Sequence, residues 1–239
     1  MSSLLNLFNK NRNLVDQFKQ SLGENLFSLI QYGSSVKGNK SNKSDVNLLI
    51  VLQLSTPEAH EAIHQIIHSN PKIEPLILGK RGLDKTIQSF AIKFLSIKRH
   101  HKVLCGEDFL KDITIPLDRE KFLAEQALRN IRLRLVHVYA RQGASSSYLR
   151  YLVSIRNSIF IDISEVLRCE EIKLPDDYKD RIQIIEDKFD IDGRVLRILY
   201  SLRSNVKRLP TKALQQMHSQ LFFILDSVLV YVEKQWNGE

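Results

Sequence analysis

Apolar positions outline the chain before any motif does. Leu4, Leu5, Phe8, Leu14, Val15, Phe18 and Leu22 recur at near-helical spacing and predict a helix from Ser3 to about Leu22, closed by Gly23. Leu26–Tyr32 then reads as a strand, and Val46–Leu52 as an almost continuous apolar one, the pattern of a strand buried on both faces. "STPEAHEAIHQIIHSNP" predicts a helix with start signals at Thr56 and Pro57 and a stop by Pro71. Two further runs, Glu74–Leu78 and Phe90–Ile97, read as strands joined by a polar stretch containing Gly79 and Gly82.

From Asp118 the periodicity lengthens. Helices are predicted at about Asp118–Gln142, Ser145–Cys169, Tyr178–Phe189, Asp192–Leu209 and Thr211–Gln235, with "RQGASSS" and "EEIKLPDD" as turns between them. The expected architecture is therefore mixed α/β: an N-terminal α/β domain over residues 1–116 and an all-helical bundle over 117–239, divided near Ile115-Pro116. Phe222, Phe223, Leu225, Val228, Leu229 and Tyr231 fall on the last helix and are expected to pack the bundle core.

Composition narrows the class of protein. With 43% hydrophobic and 26% charged residues among 239, the chain reads as soluble and globular. The longest apolar run near the end, "LFFILDSVLVYV", contains Asp226 and falls short of the roughly 20 residues a bilayer crossing needs, so no membrane span is expected. The N-terminus lacks a secretory pattern, and two cysteines, Cys105 and Cys169, fit a reducing cytoplasm and are too few for a zinc cluster. A net charge of +8 favours acidic partners: a nucleotide, RNA, or a protein with an acidic face.

Candidate chemistry concentrates in "LIQYGSSVKGNKSNKSDVNLLIVL". An apolar strand breaks at Gly33-Ser34, a polar loop carries Lys37, Lys40 and Lys43, and the chain re-enters a strand through Asp45-Val46-Asn47. Glycine lets backbone approach a phosphate closely, and serine and backbone amides donate to it. Residues 45 and 47 alternate along a strand and so face one site together. "YGS" followed by "SDVNL" resembles the signature of the nucleotidyltransferase superfamily, the fold of kanamycin nucleotidyltransferases and DNA polymerase beta. The stretch from Pro75 to Ile113 is similar to a bacterial group of nucleotidyltransferases, so the resemblance spans about the first 115 residues. It implies transfer of a nucleoside monophosphate from an NTP to a hydroxyl, with Mg²⁺ clamping the triphosphate. It also implies Gly33, Ser34, Lys37 and Lys43 as nucleotide-binding residues, Asp45 as metal ligand and catalytic residue, and position 47 as a second metal ligand.

The chain departs from that pattern in two places. Asn47 stands where the family has a second carboxylate; it offers Mg²⁺ a carbonyl oxygen but no charge. Where the related group has Glu on a later strand, this chain has Lys93. Two unit charges 4 Å apart interact by about 4 kcal/mol at an effective dielectric near 20, and here attraction for a cation becomes repulsion. Lys93 could instead neutralise phosphate directly, and Glu74 or Asp84 could supply the missing carboxylate. Two readings follow: a transferase with weakened or lost catalysis, or a non-catalytic nucleotide sensor or partner-binding scaffold.

Other signals point elsewhere. His60-Glu61-Ala62-Ile63-His64 matches the zinc-protease pattern His-Glu-x-x-His, but His60, His64 and His68 alternate with Ile63, Ile66 and Ile67 as a solvated face alternates with a buried one. His100 and His101 lie in the basic run "IKRHHKVL" and read as a solvated strand end or a phosphate or RNA contact. Arg132 and His137 are spaced as in some helical ribonucleases, among Arg129, Arg134 and Arg141, which read as surface arginines of an amphipathic helix.

Overall fold

A computed structural model describes residues 13–33, 36, 46–202 and 208–238. The chain divides into two compact units, Met1–Ile115 and Pro116–Glu239. It is mixed α/β, with the sheet in the first unit and helices making up the second.

In the first unit α1 is helical over the described residues 13–22, and a single 3-10 turn, Gly23–Asn25, leads into β1 (Leu26–Tyr32). β2 (Val46–Leu52), α2 (Pro57–His68), β3 (Ile73–Gly79), α3 (Leu83–Ser89), α4 (Ala91–Arg99) and β4 (His101–Gly106) follow. The strands form one four-stranded sheet in the order β3-β2-β1-β4. β1 and β2 are an antiparallel hairpin, β2 and β3 run parallel across the α2 crossover, and β4 pairs antiparallel with β1.

Both faces of β2 are covered, which is why its sequence is nearly all apolar. Leu48, Ile50 and Leu52, with Leu29 of β1, pack against Phe18 and Leu22 of α1 and Ala59, Ile63 and Ile66 of α2. Leu49 and Val51, with Ile30, pack against Leu83 and Ile87 of α3 and Phe94 and Ile97 of α4. Leu48 to Leu52 are fully buried, and burying five such side chains contributes roughly 10 kcal/mol before the entropy of ordering is charged against it. α2 begins where the sequence signals it: Thr56 Oγ1 accepts from the Ala59 N–H at 3.3 Å, and Pro57 takes the first helical position.

The segment read as a strand at Phe90–Ile97 is helical. Ala91, Phe94 and Ile97 are its buried residues, at the i, i+3, i+6 spacing of one helical face, while Phe90 and Lys93 are exposed. Eight residues that mix apolar and polar positions fit strand or short helix equally by periodicity, and tertiary packing decides. The strand lies one step later, at His101–Gly106, where the polar opening "HK" concealed it.

The second unit contains α5 (Leu117–Gln142), α6 (Ser146–Cys169), α7 (Tyr178–Phe189), α8 (Arg194–Ser201) and α9 (Thr211–Val232), with a π-helical turn at Glu233–Asn237. α5 ends at Gly143, in the left-handed region at φ +57°, and Ser145 caps α6 by accepting the Tyr148 N–H at 3.2 Å. Leu128, Leu135, Leu152, Phe160, Val195, Leu221 and Leu225 are among its buried residues. α8 is shorter than the spacing predicts, because Leu202 turns extended; residues 203–207 of the expected helix lie outside the described residues. On α9, Leu225, Val228 and Leu229 are buried as expected, but Phe223 is 60% exposed. Phe222 carries the Arg132 guanidinium over its ring at 4.6 Å, and Tyr231 donates to Glu170 at 2.6 Å.

Candidate functional site

The hairpin β1–β2, the parallel crossover β2–α2–β3 and the antiparallel pairing of β4 with β1 bring four strand ends to the same end of the sheet. Tyr32 pairs with Asn47, Asn47 with Glu74, and Tyr32 with His101 on its other side. Residues paired across neighbouring strands project from the same face, so His101, Tyr32, Asn47 and Glu74 form one row, adjacent members about 5 Å apart at the Cα atoms. The row prolongs the face that carries Ile30, Leu49 and Val51. Burial, and after it the Glu74 charge, pushes the Tyr32 phenol above its ordinary value. The His101 ring is anchored at both nitrogens, Nδ1 to the Lys98 carbonyl at 2.8 Å and Nε2 to Asp108 Oδ1 at 3.1 Å.

Gly33 follows directly, at φ +79°, where glycine is favoured. Its N–H donates to the His100 carbonyl at 3.0 Å, and its own carbonyl accepts the Val36 N–H at 3.0 Å. Both backbone groups are thus committed to shaping the turn. What the glycine contributes is missing volume: a Cβ there would lie 3.2 Å from Asn47 Nδ2. The first residue after β1 and the second residue of β2 are therefore packed against one another, with the carboxamide nitrogen filling the gap.

Of the residues singled out from sequence, Gly33 and Asn47 are brought together. Ser34, Lys37, Lys40, Lys43 and Asp45 lie outside the described residues. Lys93 is on the exposed face of α4 and not on a strand, so its placement at the third carboxylate position is corrected. Beside Asn47, on the parallel neighbour strand, stands Glu74. Asp84 is exposed in the first turn of α3, where its charge suits the helix N-terminus. The strand–helix–strand order, which makes β2 and β3 parallel and aligns their first residues, is the signal that separates Glu74 from Asp84.

The rival patterns resolve into ordinary surface structure. His60, His64 and His68 are exposed on α2 while Ile63 and Ile66 are buried, and His60 Nε2 lies 2.8 Å from Ser55 Oγ. Arg132 is bound to Asp226 at 2.7 Å, and His137 is exposed. A cavity of about 420 Å³, lined by Lys19, Gly23, Glu24, Leu26, Cys105 and Gly106, opens at the opposite end of the sheet from Gly33.

No family model and no curated protein matches the sequence. Among solved structures the chain is similar to the spectinomycin adenyltransferase AAD(9) from Enterococcus faecialis, determined with ATP and spectinomycin. The TM-score is 0.58 at 13% identity, over 92% of this chain and 98% of that one. The chain has a nucleotidyltransferase-like fold. At this identity the likeness carries the fold and no further property.

A nucleotidyltransferase-like fold raises the expectation of a divalent-cation centre built from clustered carboxylates. The described part of the row holds one carboxylate, Glu74, beside a neutral carboxamide whose nitrogen is turned towards Gly33. Among the described residues no group of three or more His, Cys, Asp or Glu side chains is placed to hold a metal. The described members of the row, Glu74 and Asn47, do not by themselves make a two-cation centre. No helix among the described residues is long and apolar enough to cross a membrane.

Proposed function

We propose that the chain binds a nucleoside triphosphate at the Gly33 end of its sheet, with nucleotidyl transfer weakened or lost. The observation that supports this reading is the Gly33–Asn47 contact: a glycine turn at φ +79° closes on a neutral carboxamide, at the strand position where the resembling family carries a carboxylate. In this reading Ser34, Lys37, Lys40 and Lys43 add hydrogen bonds and positive charge around the phosphates. Its test is calorimetric titration with ATP and GTP beside an assay of pyrophosphate release with small hydroxyl acceptors. Saturable binding with release at the uncatalysed rate is expected; failure to bind either nucleotide refutes it.

A second reading, a working transferase, draws on one observation, the register of Glu74 with Asn47. Glu74 and Asp45 would then supply the acidic groups, with Asp45 accepting the proton as an acceptor hydroxyl attacks the α-phosphorus and pyrophosphate leaves. Acceptor-dependent pyrophosphate release abolished by Asp45→Ala and by Glu74→Gln would favour it over the first.

A further inference from the structure

Asn47 differs from a carboxylate in more than charge. A carboxylate only accepts hydrogen bonds, whereas a carboxamide nitrogen carries two donor hydrogens. Here that nitrogen is held in the space left by the Gly33 side chain. The turn's own amide and carbonyl at Gly33 are already used. Among the described residues the Asn47 side chain meets no hydrogen-bond partner; Ser34, Ser35 and Asp45 lie outside them. Glu74 adds the second consideration. A carboxylate at 47 would stand directly beside it across two paired strands, and like charges so placed disfavour one another unless a cation lies between them. The amide removes that demand. Glu74 also lies on the far side of Asn47 from Gly33, since β2 is between β1 and β3.

We propose that Asn47 donates a hydrogen bond directly to a phosphate oxygen of the nucleotide, and that this chain binds nucleoside triphosphates without a divalent cation. The proposal rests on the nucleotide-binding reading above and states how that site manages without the carboxylate. An amide in this place does by direct donation what a carboxylate does through a bridging cation.

The experiment is titration of the full chain with ATP, in Mg²⁺ and in EDTA, for wild type, Asn47→Asp and Asn47→Ala, with melting curves showing that all three are folded. Wild type is expected to bind in EDTA within about threefold of its affinity in Mg²⁺. Asn47→Asp is expected to lose about tenfold or more in EDTA, about 1.4 kcal/mol, and to recover when Mg²⁺ is added. Asn47→Ala is expected to lose a similar factor in both conditions, without recovery. Wild-type binding that requires Mg²⁺ overturns this proposal and leaves the nucleotide-binding reading standing. Asn47→Asp binding in EDTA as tightly as wild type does the same. Absence of wild-type binding in both conditions overturns both.

Discussion

Replacing Gly33 by alanine tests the packing at the centre of this account. The residue has φ +79°, and an L-residue held in the left-handed region costs about 1–2 kcal/mol. The new methyl carbon would also lie 3.2 Å from Asn47 Nδ2, closer than ordinary van der Waals contact, so the amide must give way. Gly33→Ala is therefore expected to destabilise the first unit by about 1–2 kcal/mol plus the cost of displacing Asn47. In an Asn47→Ala background that second part disappears, and the same substitution should cost less by about 0.5 kcal/mol or more. The assay must report the correct unit. The chain's one tryptophan, Trp236, belongs to the second unit, so fluorescence follows the wrong part of the molecule. Hydrogen exchange at the amides of Leu48 to Leu52, in one of the two inner strands of the sheet, measures opening of the first unit directly. Equal costs of Gly33→Ala in the two backgrounds, within about 0.3 kcal/mol, would refute the contact.

Three other outcomes follow from the same geometry. Gly106→Ala should unfold the first unit or destabilise it by about 3 kcal/mol or more, read by the same exchange experiment, because its Cβ would fall 2.2 Å from the Phe27 carbonyl oxygen at φ +83°. In the second unit, burial and then the charge of Glu165 raise the Asp162 carboxyl from 3.8 to about 7. Its folded state holds the proton more tightly, so its contribution is complete below the ordinary value and is lost as pH rises from about 4 through 7. Asp162→Asn should remove that slope and stabilise the unit at pH 8 by an amount on the order of a few kcal/mol, measured by Trp236 fluorescence in urea at pH 5 and pH 8. Lys93→Ala should change ATP affinity by less than about twofold in calorimetry, since the side chain is on the exposed face of α4 and not in the row with Asn47.

Much of the first unit was legible because its pattern and its packing agree. Val46–Leu52 is a continuous apolar run because helices cover both faces of β2, and α2 alternates histidines with isoleucines because only one of its faces is covered. Phe90–Ile97 was misread because eight residues are too few for a period of two and a period of 3.6 to separate. β4 was missed because it opens with His101 and Lys102 at the end of the sheet. At the site, Gly33 and Asn47 were legible as a motif, and their contact was not, since it depends on the register of β1 with β2 and on the backbone at Gly33. Glu74 was visible as a candidate, but only strand register places it beside Asn47. The expected phosphate loop and Asp45 lie outside the described residues, so their part in the site rests on the sequence pattern.

A nucleotide bound at the Gly33 end of the sheet should perturb the backbone around it. The most direct measurement is the change in backbone amide NMR shifts of the full chain as ATP is added. Saturable shifts are expected at Tyr32, Gly33, Asn47 and Glu74, with the residues around the Lys19 and Cys105 cavity at the other end unmoved. Shifts confined to that cavity, or none at Gly33 and Asn47 at saturating ATP, would contradict binding at the Gly33 end.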